Sequence, residues 1–387
     1  MHRIAFAVSL AALALTALAA KPATPPEDAA HKVTVQELEQ AVASDHGKTD
    51  AETAQALGAL ELTERLSASR LARLNAGMPG EKSQQALTIL ADRAAFLSLP
   101  DDENVTDPTP DAAATRQMLV RIVNYVNNTV RQLPNLMAVR ETTGFEDRPK
   151  EDVLEATGVV SKSYLPLHAV SKSSFAVTYR DRKEVVDEAA SKALKHNAPV
   201  GGLVTSGEFG PILSTVMADA LKGKITWARW EKGSARPLAV FHYAVPDEKS
   251  NYRVKFCCIV DGYASDGQPE MQVFDERSPY HGEITFDPAD GSILRITLEA
   301  EMPPKGLVPN AGIVIEYSPV EIGGKSYICP ARSVSVLQAH VTIPKGMYSS
   351  SNFQGPAKTF LNDVQFGQYR RFGSEARIVG ESAAPAN

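Results

Sequence analysis

A histidine that titrates near neutral pH, held by a carboxylate, is the smallest apparatus for general base catalysis. The chain offers one such set in His281, Asp275 and Glu283, with Glu276 beside them and His168 and His242 in similar strand-like surroundings. A half-buried, hydrogen-bonded histidine is the commoner use of such positions, so these residues define a dispersed hydrolase site only as an alternative. No catalytic residue is assigned. There is no G-x-S-x-G elbow, and Gly202-Leu203-Val204-Thr205-Ser206-Gly207 places its serine at the wrong offset from its glycines. No H-E-x-x-H or C-x-x-C occurs, and the 8 histidines never fall at i, i+3 or i, i+4 spacing. The sequence therefore encodes no local metal site and implies no cofactor. Gly323-Gly324-Lys325-Ser326 lacks the upstream glycine of a phosphate loop and reads as a hairpin turn.

Three further features carry chemistry. The glycine-rich run from Leu203 to Pro211 precedes a helix, so its amides either face a ligand anion or simply enter a capped helix. Tyr369-Arg370-Arg371-Phe372 mixes cations and aromatics that can grip an acidic head group, or can form the solvated edge of a last strand. The 3 cysteines allow one bridge in an exported chain. Adjacent residues of a strand face opposite ways, so either Cys257 or Cys258 pairs with Cys329 and the other is a buried thiol. Three buried thiols are the alternative.

These residues need elements to position them. Thr34-Val35-Gln36-Glu37 has the form of a capping box, Asp50 or Thr49 caps a second helix, and Thr63 a third that stops at Gly77-Met78-Pro79-Gly80. A fourth helix runs from about Glu81 to Leu97, so residues 33–99 form a helical segment. Residues 100–110 combine acids and prolines and read as a linker. Met118, Ile122, Val126 and Val130 stripe a helix from Asp111 to about Leu133, where Pro134 ends it. Strand texture follows, from Ser173–Tyr179 through Ile225–Glu231, Leu238–Val245 and Ile293–Ala300 to Phe360–Phe372, interrupted by one helix that opens at Gly210-Pro211 and stops at Gly223. In Ile293–Ala300 the alternation sets Arg295, Thr297 and Glu299 on a wet face and Leu294, Ile296 and Leu298 on an apolar one. The expected fold is α+β: an N-terminal helical segment, then a strongly curved antiparallel sheet of about ten strands, an unclosed β-barrel covered by helices, over residues 111–380.

The ends carry an address. Arg3, the apolar run Ile4–Leu18 and the small residues around Ala17-Leu18-Ala19 form a signal peptide over residues 1–19, cut near Ala20. About 15 apolar residues fall short of the roughly 20 that span a membrane, and no later run approaches that length. Residues 20–32 read as a flexible leader and 381–387 as a disordered tail. The expected location is the periplasm or the extracellular space. A formal net charge of −6 with 43% apolar residues gives an ordinary core and no nucleic-acid footprint.

The run from Tyr280 to Arg295, together with Ile315 to Pro330 and Leu361 to Arg370, resembles a pattern of uncharacterised secreted bacterial proteins, acidobacterial ones in particular. That resemblance covers most of the chain after the signal and implies export but no activity. More distantly, one helix followed by about ten antiparallel strands is similar to the periplasmic Lol-type lipoprotein carriers, unclosed barrels whose helices cover an acyl-binding cavity. The likeness is architectural. The helical segment departs from it, and no carrier-site residue maps onto this chain.

Three functional expectations follow. The first is a non-enzymatic exported protein that shelters a lipid, acyl-chain or lipoprotein-like ligand in its sheet, with the N-terminal helices as lid or docking surface. The second is an envelope protein–protein interaction or structural module with a filled core. The third is the dispersed hydrolase.

Overall fold

The computed structural model describes residues 31–44, 47–129, 132–155, 158–181, 183–186, 202–203, 205, 207–263, 269–343 and 353–371. The expected signal, most of the leader and the tail lie outside these residues.

The helical segment is built on local caps. Strand β1 (His31–Val33) leads into α1 (Val35–Ser44), where Glu37 N–H donates to Thr34 Oγ1 at 3.2 Å and Thr34 N–H donates back to Glu37 Oε2 at 2.7 Å. Thr49 and Glu52 repeat the device at α2 (Asp50–Gly58). The expectation that Thr63 caps the third helix is corrected. Strand β2 (Leu60–Leu62) pairs parallel with β1, Thr63 N–H extends that pairing to Val33 O at 2.9 Å, and Ser67 caps α3 (Ala68–Ala76) instead. Helix α4 (Glu81–Arg93) is capped across space: Asp50 of α2 accepts from Ser83 N–H at 2.8 Å, Ser83 Oγ at 2.7 Å and Lys82 N–H at 3.1 Å. A separate core of Val35, Leu38, Leu57, Leu87 and Leu90 holds these helices together.

The stretch read as a linker is fastened to the sheet. Strand β3 (Asn104–Val105) pairs with Trp230 and Glu231, and Trp230 Nε1–H donates to Pro108 O at 3.0 Å. Helix α5 (Ala112–Asn124) follows and passes into a π-helical turn at Tyr125–Thr129, so the single helix expected as far as Leu133 changes register five residues after Val120.

The remaining strands are β4 (Leu136–Arg148), β5 (Glu151–Glu155), β6 (Gly158–Lys162), β7 (Leu165–Arg180), β8 (Lys183–Val186) and β9 (Gly202–Leu203), then helix α6 (Pro211–Ala220). After α6 come β10 (Lys224–Glu231), β11 (Leu238–Val245), β12 (Arg253–Tyr263), β13 (Pro269–Arg277), β14 (Tyr280–Phe286) and β15 (Ile293–Ala300). The chain closes with β16 (Asn310–Ile322), β17 (Lys325–Ile343) and β18 (Phe353–Arg371). Eleven strands form one antiparallel sheet in the order β3-β10-β11-β14-β15-β16-β17-β18-β4-β7-β8, open at both edges. The fold is α+β, and no helix of the described residues is long and apolar enough to cross a membrane.

One sheet face carries the main core. Ile296, Leu298, Ile313 and Ile315 pack there against Met118 and Ile122 of α5 and Leu213, Val216 and Met217 of α6, with Tyr243, Tyr280, Phe241 and Phe286 filling the space between. Tyr243 is satisfied by donating its hydroxyl to Thr297 O at 2.6 Å. The other face is not wet, as the alternation suggested: Arg295 and Thr297 are 6% and 3% exposed. The end of α4 lies over them. Arg295 Nη2 donates to Ala95 O, and Phe96 occupies the space that a side chain at Gly312 would need.

Gly282 of β14 sits opposite Tyr243, where an added Cβ would meet Thr297 O at 2.0 Å and Tyr243 Oη at 2.9 Å. Gly282→Ala should therefore lower stability by about 3 kcal/mol through overpacking, read as a fall in the urea midpoint with an unchanged slope. A midpoint equal to wild type would show that the two strands part at no cost.

Candidate functional site

The expected base set is not assembled. His281 faces Glu301 at 3.3 Å and Glu299 at 3.9 Å, and its ring lies 6.0 Å from that of His242. Glu283 shares a face of β14 with His281 but is clasped by Arg229 at 2.6 and 2.8 Å, which holds its carboxyl below the usual range against the effect of burial. Asp275 belongs to the separate sheet β13-β12-β9, where Arg253 at 2.6 Å and Lys255 at 3.3 Å keep it ionised. His168 is exposed, its Nδ1 lying 3.0 Å from Pro166 O.

The C-terminal aromatic and cation run divides. Gln368 has φ of +51°, within a bulge between Gly367 and Arg370 that turns Tyr369 inward. Tyr369 donates to Pro330 O and packs edge-on against Phe209 at 6.1 Å, so its ring is partly buried against an apolar cluster and its hydroxyl is engaged by the chain itself. Arg370 stays exposed. The expected bridge to Cys329 is also corrected: Cys257 is disulfide-bonded, whereas Cys329 is a free thiol. Cys329 is packed with Leu136, Phe209 and Val364 in an apolar cluster on β17, and this burial pushes its thiol up to about 12. The side chain of Cys258 lies outside the described residues.

Sequence reasoning missed the most unusual electrostatic group. Glu208, from the glycine-rich run, is fully buried and lies 3.3 Å from Arg140 of β4. Glu184 of β8 reaches the same guanidinium at 3.9 Å. Of the two readings of the glycine-rich loop, an anion-facing amide is taken by the chain's own carboxylate, Gly207 N–H donating to Glu184 Oε2 at 2.9 Å. Gly207 has φ of +92°, which suits glycine. Thr205 completes the clasp by accepting from Arg140 Nη2 at 2.8 Å, and Tyr317 and Tyr369 face Glu208 from β16 and β18. One guanidinium therefore serves two buried carboxylates. Burial, and then the like charge of Glu208, push Glu184 up to about 7 against the pull of Arg140.

Three cavities among the described residues are wide enough for a small ligand. The first, of about 290 Å³, lies between α2 and α4 and is closed by Pro166, Leu167 and His168 at the start of β7. Ala54, Leu57, Ala86 and Ile89 line it, and among the described residues its charged groups are Lys82 and Arg93, with no carboxylate in the lining. The second, of about 320 Å³, has Leu298 and Ile313 as its floor and Arg253 and Lys255 at its rim, where Asp275 already engages both cations. The third, of about 340 Å³, lies between α3, α4 and the charged sheet face.

No family model, curated protein or solved structure matches this chain. Site chemistry alone therefore ranks the cavities. The first combines an apolar wall with Arg93 and with Lys82, which Asp50 attracts from outside the lining, the arrangement an acidic amphiphile needs.

Because the folded chain holds the Glu184 proton that the unfolded chain releases, the stability this group confers is fully present below the ordinary carboxylate value of 4.5 and is lost as pH rises to about 7. Urea unfolding should show this group's share of stability falling by about 3 kcal/mol between about pH 5 and about pH 8, on top of the fall that buried Asp92 adds in the same window, and Glu184→Gln should remove its share and leave the slope shallower. A wild-type profile that stays level across the range would refute the shared proton.

Proposed function

We propose that this is an exported, non-enzymatic binding protein for a hydrophobic ligand with an acidic head, an acyl carboxylate being the simplest case. The observation that carries the reading is the α2–α4 cavity, whose apolar wall ends in Lys82 and Arg93 with no carboxylate among the described lining residues. In this reading the sheet curves strongly enough to bring the start of β7 over the helices, so the N-terminal segment forms a wall of the site and not a detachable lid. The main core holds its own aromatic side chains, which leaves the ligand to the helical side. A volume at the small end of ligand sites suits a short or partly inserted chain. Each buried methylene then adds about 0.8 kcal/mol until the cavity is full.

Calorimetric titration with straight-chain carboxylates should show affinity rising with chain length to a plateau. The double variant Lys82→Ala, Arg93→Ala should bind about tenfold more weakly, about 1.4 kcal/mol. Absence of binding by every acyl anion tried would defeat the proposal. Weight would then move to an envelope interaction module, which the filled main core favours.

Export has its own test. The chain recovered from the envelope of its host should begin near Ala20, and an intact Met1 in that fraction would contradict cleavage.

A further inference from the structure

The second cavity opens beside the main core, between α6, the first residues of β12 and the apolar face of β15 and β16. Val216 of α6 and Leu298 and Ile313 of the sheet give it an alkyl wall. Two hydroxyls interrupt that wall, from Thr215 of α6 and from Tyr252 just before β12. Both residues are only partly covered, neither hydroxyl has a hydrogen-bond partner among the described residues, and neither oxygen is sealed by its neighbours. Tyr252 is nevertheless firmly placed. Its N–H donates to Ser250 Oγ at 3.1 Å, its ring packs on that of Tyr280 at 5.5 Å, and Asn251 before it donates twice to Asp219, at 2.8 and 2.6 Å. Burial raises its phenol above the ordinary range, so it stays a neutral donor.

The charges lie at the mouth. Among the described lining residues only Arg253 and Lys255 are ionised, each half exposed and each paired with Asp275, at 2.6 and 3.3 Å. A cation entering the cavity meets two like charges there. An anion finds both cations already engaged, and further in it would exchange water for two neutral hydroxyls alone. A neutral molecule with an oxygen at one end loses little water and gives the hydroxyls the partner they lack. We propose that this cavity binds an uncharged aliphatic ketone or alcohol, its chain against Val216, Leu298 and Ile313 and its oxygen hydrogen-bonded to Tyr252, with Thr215 beside it. The site is independent of the acyl groove and stands or falls separately from it.

Calorimetric titration of the protein with 2-octanone tests the site, with octylamine as the charged analogue. The ketone should bind, and the amine should bind at least tenfold more weakly. Tyr252→Phe removes an oxygen that holds nothing in the folded chain, so it should keep or raise the melting temperature while weakening the ketone about tenfold. Thr215→Phe fills the chamber and should abolish binding, and Tyr252→Phe carries the test if that variant fails to fold. Saturating octanoate, offered to the acyl groove, should leave the ketone's affinity unchanged, which separates the two sites. The proposal is overturned if 2-octanone does not bind, if octylamine binds equally well, if octanoate displaces the ketone, or if a folded Tyr252→Phe protein binds as wild type does.

Discussion

A guanidinium that cannot return to water constrains this molecule more than any other group. Arg295 sits in the middle of the sheet, fully covered by the end of α4, and burial followed by repulsion from Arg65 pushes it down to about 9. It is one member of a cross-strand row, Thr285–Arg295–Glu316–Arg332–Gln365, in which each residue stands opposite the next. Asp92, pushed up to about 8 by burial against the pull of Arg332, and Arg65 bring the helical segment's own charges onto that row. Charges are costly to bury and costly to leave unpaired. The helices are therefore held in one seating over the sheet, and the shapes of the cavities beside α4 follow from that seating.

The opposite face obeys a different rule. Apolar packing of α5 and α6 against Ile296, Leu298, Ile313 and Ile315 is non-directional, and large aromatic residues fill what the helices leave. Stability comes chiefly from this side, and orientation from the charged side. On this side Tyr243 reaches Thr297 O two strands away, passing over β14 at Gly282, which has no side chain to stop it.

Much of the fold was legible where one local signal decided the outcome. Leu238–Val245 and Ile293–Ala300 are strands at the bounds their alternation set, and the helix after Gly210-Pro211 begins where proline places it. Thr63 misled because its role is set by pairing with residues 30 positions away, which no local window contains. Strand β4 passed unnoticed because Arg140, Glu141, Thr142 and Thr143 blur its alternation, and Arg140 is buried only by virtue of Glu208 and Glu184 from distant segments. The sites were harder still. Lys82 and Arg93 look like solvated helix residues until β7 comes beside them, and Glu208 becomes one of the two carboxylates that Arg140 serves only once β4 and β8 come together around it. Glycine on both sides of a glutamate just before a helix was the one available signal.

The cross-strand row also has a genetic consequence. On the apolar face, one aliphatic residue can be exchanged for another of similar volume in a single step. Along the charged row a single replacement strands a buried partner, so change is open only to compensated pairs. Lineages descended from this chain should therefore keep Arg332 and Asp92 together or lose them together, while the aliphatic residues of the other face drift independently.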